Sequence, residues 1–126
     1  MKRSLTPLGE TEMEVLQHVW DLGEATGNDV RKRIHQTRDL AYTTIITVLK
    51  NLVQKGYLKY RKEGVTHVYS AAREPESVRY NLVNHLVEKV FRGSRADLIQ
   101  TLVEKEKLTA EQLKEIRRMI DQLDEQ

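Results

Sequence analysis

The residues best suited to chemistry lie in one short stretch, Tyr42-Thr43-Thr44, with Thr47, Lys50 and Asn51 following. Threonine hydroxyls donate or accept at base edges and phosphates, and the threonine methyl can touch a thymine methyl. Tyr42 offers its hydroxyl to a phosphate or its ring to a base. Where such a stretch opens a helix, the free N–H groups of the first turn also suit a phosphate. The charge around it is lopsided. From Arg31 to Lys62 nine Lys/Arg stand against Asp39 alone. Residues 1–72 hold eleven Lys/Arg and eight Asp/Glu, a net +3; residues 73–126 hold ten and eleven, a net −1. A basic middle between near-neutral flanks is an electrostatic footprint for a polyanion. The alternative is a solvated, lysine-rich surface.

Other chemistries find less support. His18, His35, His67 and His85 are scattered. Glu14 and His18 share a helix face, but two ligands make no metal site. There is no HExxH, no Gly-rich phosphate loop and no Gly-x-Ser-x-Gly. Carboxylates cluster only in charged helical runs, Glu104/Glu106 and Asp121/Asp124/Glu125, which read as solvated faces. With no cysteine, disulfides, thiolate metal sites and cysteine nucleophiles are excluded. Neither an enzyme nor a cofactor is expected. No apolar run approaches the ~18 residues of a membrane span. Met1 to Gly9 has a basic pair but no apolar h-region, so no secretory signal is expected. The expectation is a cytoplasmic protein with no direct membrane insertion.

The chain has 126 residues, 39% apolar and 32% charged. That length makes one average domain or two small modules. A first helix is predicted over Glu10 to Leu22, with Met13, Leu16, Val19 and Trp20 at helical spacing and Gly23 as its stop. Thr26 caps a second helix, with Asp29 as reciprocal cap. Asp39-Leu40-Ala41 leads to a third, Tyr42 to Lys55, ended by Gly56. The period then changes to that of strands. Tyr57 to Lys62 and Val65 to Ser70 form a hairpin with a turn at Glu63-Gly64, and Glu24-Ala25 adds a small strand. Three helices and then a hairpin is the order of a winged helix-turn-helix. The third helix would enter the major groove. The wing tip would bring Arg61, Lys62 and Thr66 to the DNA backbone or minor groove.

Arg73 to Pro75 reads as a junction, and everything beyond it as helix. Leu82, Leu86 and Val90 mark the next helix, and Leu98 and Leu102 the one capped by Ser94. Leu113, Ile116, Ile120 and Leu123 form a narrow seam on the last, which opens on a capping-box spacing, Thr109 and Gln112. About fifty residues are near the size at which folding needs another staple or a partner. This apolar set is therefore expected to form a dimer interface with a second copy. The alternative is that it folds back on the winged part. The expected fold is mainly α. A winged helix-turn-helix of three helices and a short antiparallel β-sheet spans 1–72, and a helical dimerisation module spans 73–126. The residues alone leave two functions open: a DNA-binding protein, or a winged-helix protein-interaction module with little DNA affinity.

The segments Thr11-Glu12-Met13-Glu14-Val15-Leu16 with Val19-Trp20, Thr43-Thr44-Ile45 with Thr47-Val48-Leu49, Lys55-Gly56-Tyr57-Leu58, Val68-Tyr69 and Phe91-Arg92-Gly93-Ser94 together resemble the penicillinase repressor (BlaI/MecI) family. The resemblance spans nearly the whole chain. It implies a homodimeric transcriptional repressor that binds inverted-repeat operators with TACA/TGTA half-sites, with Thr43, Thr44 and Thr47 in the recognition positions. In characterised members a membrane-bound sensor-protease triggers cleavage within the helix before the last. The matching stretch is Leu98-Ile99-Gln100-Thr101-Leu102, with Gln100 and Thr101 as its candidate cleavage region. It lacks the Asn-Phe dipeptide cut in those members, so relief by proteolysis would use a different sequence. A related copper-responsive branch carries C-terminal cysteines, which this chain lacks.

Overall fold

Local caps set where most of the helices begin. The computed structural model describes residues 7–105 and 108–124. Helix α1 (Glu10–Leu22) starts where the Glu12 carboxylate folds back to accept the Gly9 N–H at 2.8 Å. It stops at Gly23, whose φ of +80° carries the chain out of the helix into β1 (Glu24–Ala25). Helix α2 (Gly27–Ile34) opens on a reciprocal cap: the Asp29 N–H donates to Thr26 Oγ1 and the Thr26 N–H to Asp29 Oδ2. Helix α3 (Tyr42–Gln54) follows a loop of seven residues, 35–41.

Strands β2 (Leu58–Glu63) and β3 (Thr66–Ala71) form the hairpin. The turn is Gly64-Val65, one residue later than Glu63-Gly64, because Gly64 takes the positive φ, +61°, at the first loop position of the two-residue connection. The sheet order is β1-β3-β2, antiparallel throughout. The register pairs Tyr60 with Tyr69 and Lys62 with His67, and it pairs Arg61 with Val68. Side chains alternate across a strand, so Tyr60, Lys62, His67 and Tyr69 share one face and Arg61 lies on the other.

The core of the winged helix collects Leu16 and Val19 from α1, Val30 and Ile34 from α2, and Ile45, Leu49 and Leu52 from α3. Leu58 and Tyr69 close it from the hairpin. Helix α4 (Pro75–Val90) adds Val78, and Leu82 one turn on also packs against this core. The chain divides into compact units between Leu86 and Val87, so the first stretch of α4 belongs with the winged helix. Leu82, expected at a dimer interface, is turned to that core instead.

Beyond Leu86, Val87 is buried and its carbonyl accepts the N–H groups of Phe91 and Gly93, each at 3.0 Å. Arg92 and Gly93 both have positive φ, which ends α4. Ser94 Oγ then accepts the Asp97 N–H to start α5 (Arg95–Lys105). A Thr109–Gln112 capping box starts α6 (Ala110–Asp124). None of the described helices is long and apolar enough to cross a membrane.

Candidate nucleic-acid interface

At 100° per residue, Lys50, Thr43, Gln54, Thr47, Asn51 and Thr44 fall within an arc of about 120° on α3. All six are exposed. The opposite arc carries Ile45, Leu49 and Leu52 into the core. The polar arc is therefore held outward by the burial of its reverse side. The helix begins on Ala41, which provides no side-chain cap. Its first-turn N–H groups are left for an outside acceptor. Thr47 donates its hydroxyl to the Thr43 carbonyl at 3.0 Å, so it faces outward as an acceptor and a methyl.

Tyr42 lies outside this arc, about 80° from Lys50, and packs against Gly27. A Cβ on Gly27 would sit 3.2 Å from the Tyr42 ring and 2.7 Å from Ile46 Cδ1. Only glycine lets the start of α2 approach α3 this closely. Tyr42 thus combines packing with an exposed edge.

The basic window is partly neutralised by acids that lie mostly outside it in sequence. Arg33 pairs with Asp21 at 3.0 Å and donates to His18 Nδ1 at 3.0 Å. Arg38 pairs with Glu14 at 2.6 Å, tying the α2–α3 loop to α1. Lys55 pairs with Glu12 at 2.8 Å. Burial raises the Glu12 pKa, but the hydrogen bonds from Lys55 and the Gly9 N–H and the Lys55 charge outweigh it and hold the carboxyl below its ordinary value. Arg31 leans on His35 Nε2, whose other nitrogen meets Asp39 at 3.1 Å. Lys32, Lys50, Lys59 and Lys62 form no ion pair with a described residue.

The two wing cations part company. Arg61 is clamped between Glu63, on its own strand, and Glu24 of β1. Those two hydrogen bonds raise its pKa above the ordinary arginine value. Lys62, on the other sheet face, is free and exposed, and Thr66 is exposed at the tip. Arg61 is therefore held by carboxylates where sequence reasoning placed it for DNA. Its partner Glu24 lies 37 residues away, and no local signal points to it.

Sequence reasoning also missed a cleft between α3 and the hairpin. Tyr60 and His67 stack with ring centroids 4.4 Å apart, and Tyr69 lies 6.0 Å from Tyr60. Burial raises the Tyr69 pKa, and the neighbouring Tyr42 and Tyr60 add to the rise. Glu14 and His18 point to different arginines and form no joint site. Among the described residues no group of three or more histidines and carboxylates could hold a metal. Glu106 and Glu125 lie outside the described residues. In the second unit Val90, Leu102, Ile116, Ile120 and Leu123 are exposed, and Leu98 and Leu113 are half-buried. Leu86, at the end of the first unit, is half-buried as well. Gln100 and Thr101 lie exposed on α5.

A three-helix core, a three-stranded antiparallel sheet and an exposed third helix define a winged-helix DNA-binding protein. The chain belongs to the penicillinase repressor family, whose profile matches residues 8–122. It is 26% identical to the methicillin resistance regulatory protein MecI of Mammaliicoccus sciuri over 90% of this chain and 93% of that protein. It is 31% identical to the transcriptional regulator BlaI of Mycobacterium tuberculosis over 95% of this chain and 87% of that one. The solution structure of the DNA-binding domain of the repressor BlaI is similar at a TM-score of 0.50 and 28% identity, covering 59% of this chain and 90% of that chain.

Proposed function

We propose that this protein is a transcriptional repressor that acts in the cytoplasm as a homodimer on an inverted-repeat operator of the TACA/TGTA type. The observation that carries the reading is the exposed arc of α3. Thr43, Thr44, Thr47, Lys50 and Asn51 lie on one face of a helix whose N-terminus is uncapped. Thr43, Thr44 and Thr47 read base edges, while Lys50, Lys62 and the first-turn N–H groups hold phosphates. Asn51 lies on the same face, and Tyr42 and Thr66 flank it. Two copies joined through the apolar faces of α5 and α6 present two such helices to the two half-sites, and occupancy excludes polymerase. Relief by a membrane-bound sensor-protease belongs to the same reading, with Gln100 and Thr101 on the surface of α5 as the stretch to be cut.

The test is a fluorescence-anisotropy titration with a duplex carrying the TACA/TGTA inverted repeat and with a scrambled duplex, each at two salt concentrations. The expected result is preference for the repeat. Its affinity should fall steeply with salt, by about 0.9 in log K per log salt for each phosphate neutralised. Equal binding to both duplexes would remove the operator assignment. Binding to neither would favour a winged-helix module that holds proteins together.

A further inference from the structure

We infer that the cleft between α3 and the hairpin binds a small planar aromatic carboxylate, and that its occupancy opposes DNA binding; the second half rests on the DNA-binding reading above. One wall is Ile46, Lys50, Val53 and Gln54, and the other is Tyr60, His67 and Tyr69. The cleft, partly open to solvent, has a volume of about 430 Å³, within the range of small-molecule sites. A neighbouring cleft of about 400 Å³ runs past Ile46, His67 and Tyr69 toward Tyr42, Val65 and Thr66.

The chemistry of the walls selects the ligand. The stacked Tyr60–His67 pair and the Tyr69 ring present aromatic surface, which favours a flat ring offset against it or edge-on to it. Ile46 and Val53 supply apolar contact and no competing hydrogen bonds. Lys50 is the one charged residue that lines the space, and no carboxylate does. An aromatic ring with one anionic group satisfies both, while a cation would be drawn to the rings but repelled by Lys50, and a neutral sugar would leave the Lys50 charge unpaired.

Lys50 also belongs to the outward arc of α3. A carboxylate held by its ammonium and a DNA phosphate would claim the same cation. A ligand in the cleft would also stand between α3 and the wing, at the edge of the surface offered to DNA.

The probe is 2-naphthoate, titrated into the DNA-free full chain and followed by amide chemical shifts, with 2-naphthamide as the neutral control. Saturable shifts confined to residues 46–54 and 60–69 are expected. The amide, Lys50→Gln and Tyr60→Ala should each weaken binding by about fivefold or more, with the remaining spectrum unchanged as the check on folding. No saturation at millimolar naphthoate, shifts elsewhere, or equal affinity for the amide would overturn the site. Naphthoate at ten times its Kd should then raise the apparent Kd for the repeat duplex about tenfold, as mutually exclusive binding requires. An unchanged DNA affinity with the cleft occupied would overturn the competition. Failure to bind any duplex would count against the repressor reading, while the chemical shifts would still decide whether the cleft is a binding site.

Discussion

Leu49 and Leu123 are the same side chain with opposite surroundings. Leu49, on α3, has no exposed surface, while Leu123, on α6, is 69% exposed. The contrast extends to their units. With the exception of Val87, the buried apolar residues of the described chain lie between Leu8 and Val78. Helices α5 and α6 bury no described residue, and Leu102 and Ile120 are 50% and 52% exposed. The winged helix carries its own core. The seam of α6 carries apolar area that its own chain leaves in water, and each side chain of this size gains roughly 1.5–3 kcal/mol on full burial. That imbalance is the physical ground for proposing that α5 and α6 self-associate.

The comparison breaks most directly at the two leucines. Leu49→Ala is expected to cost about 2–5 kcal/mol, since it empties a fully packed position. Leu123→Ala should shift the same transition by less than about 0.5 kcal/mol. Urea unfolding followed by Trp20 fluorescence at low protein concentration reads both, and equal shifts would erase the distinction. The next effect belongs to association. Ile120→Glu should weaken dimerisation by about tenfold or more, because the new charge would be buried without a partner. A sedimentation profile identical to the parent's would remove α6 from the interface.

The polar arc of α3 gives a smaller effect and sharpens what the winged unit does with its stability. Thr44→Ala with Thr47→Ala should reduce preference for the repeat over a scrambled duplex by about tenfold while weak nonspecific binding persists. Thr44 should account for most of it, since the Thr47 hydroxyl proton is given to the Thr43 carbonyl. An unchanged footprint would take base reading away from α3. The smallest effect lies at the Glu12–Lys55 pair, which ties α1 to the end of α3. Glu12 is held below its ordinary pKa, so its contribution is present above the unfolded value and is lost as pH falls through the folded one. Glu12→Gln should therefore cost about 1 kcal/mol at neutral pH and progressively less as the pH is lowered through and below the ordinary carboxylate range, read as urea midpoints across that series. A difference independent of pH would show that the carboxylate charge is not what matters there.

Much of the fold is legible along the chain. The Thr26/Asp29 and Thr109/Gln112 boxes, Ser94 and the stop at Gly23 each act within four residues, and the helices begin or end beside them. The hairpin is legible from its change of period, with its turn displaced by one residue to suit Gly64. Less of the site is. Counting charges between Arg31 and Lys62 overstates the free basic surface, because Glu12, Glu14, Asp21 and Glu24 reach in from α1 and β1 to pair with Lys55, Arg38, Arg33 and Arg61. The apolar spacing that marks Leu82 as inward-facing is equally compatible with a partner copy or with its own core, and only packing tells them apart.

By itself the sequence determined where helices start and stop, which face of α3 is apolar, and that no thiol chemistry is available. These follow from chain-local geometry, from side-chain periodicity and from composition. The tertiary structure alone decided which cations stay free, which wing face carries Lys62 and which carries Arg61, and that a cleft separates α3 from the aromatic face of the hairpin. Each of these depends on strand register or on contacts between residues distant in the chain, and such contacts exist only once the core has brought the elements together.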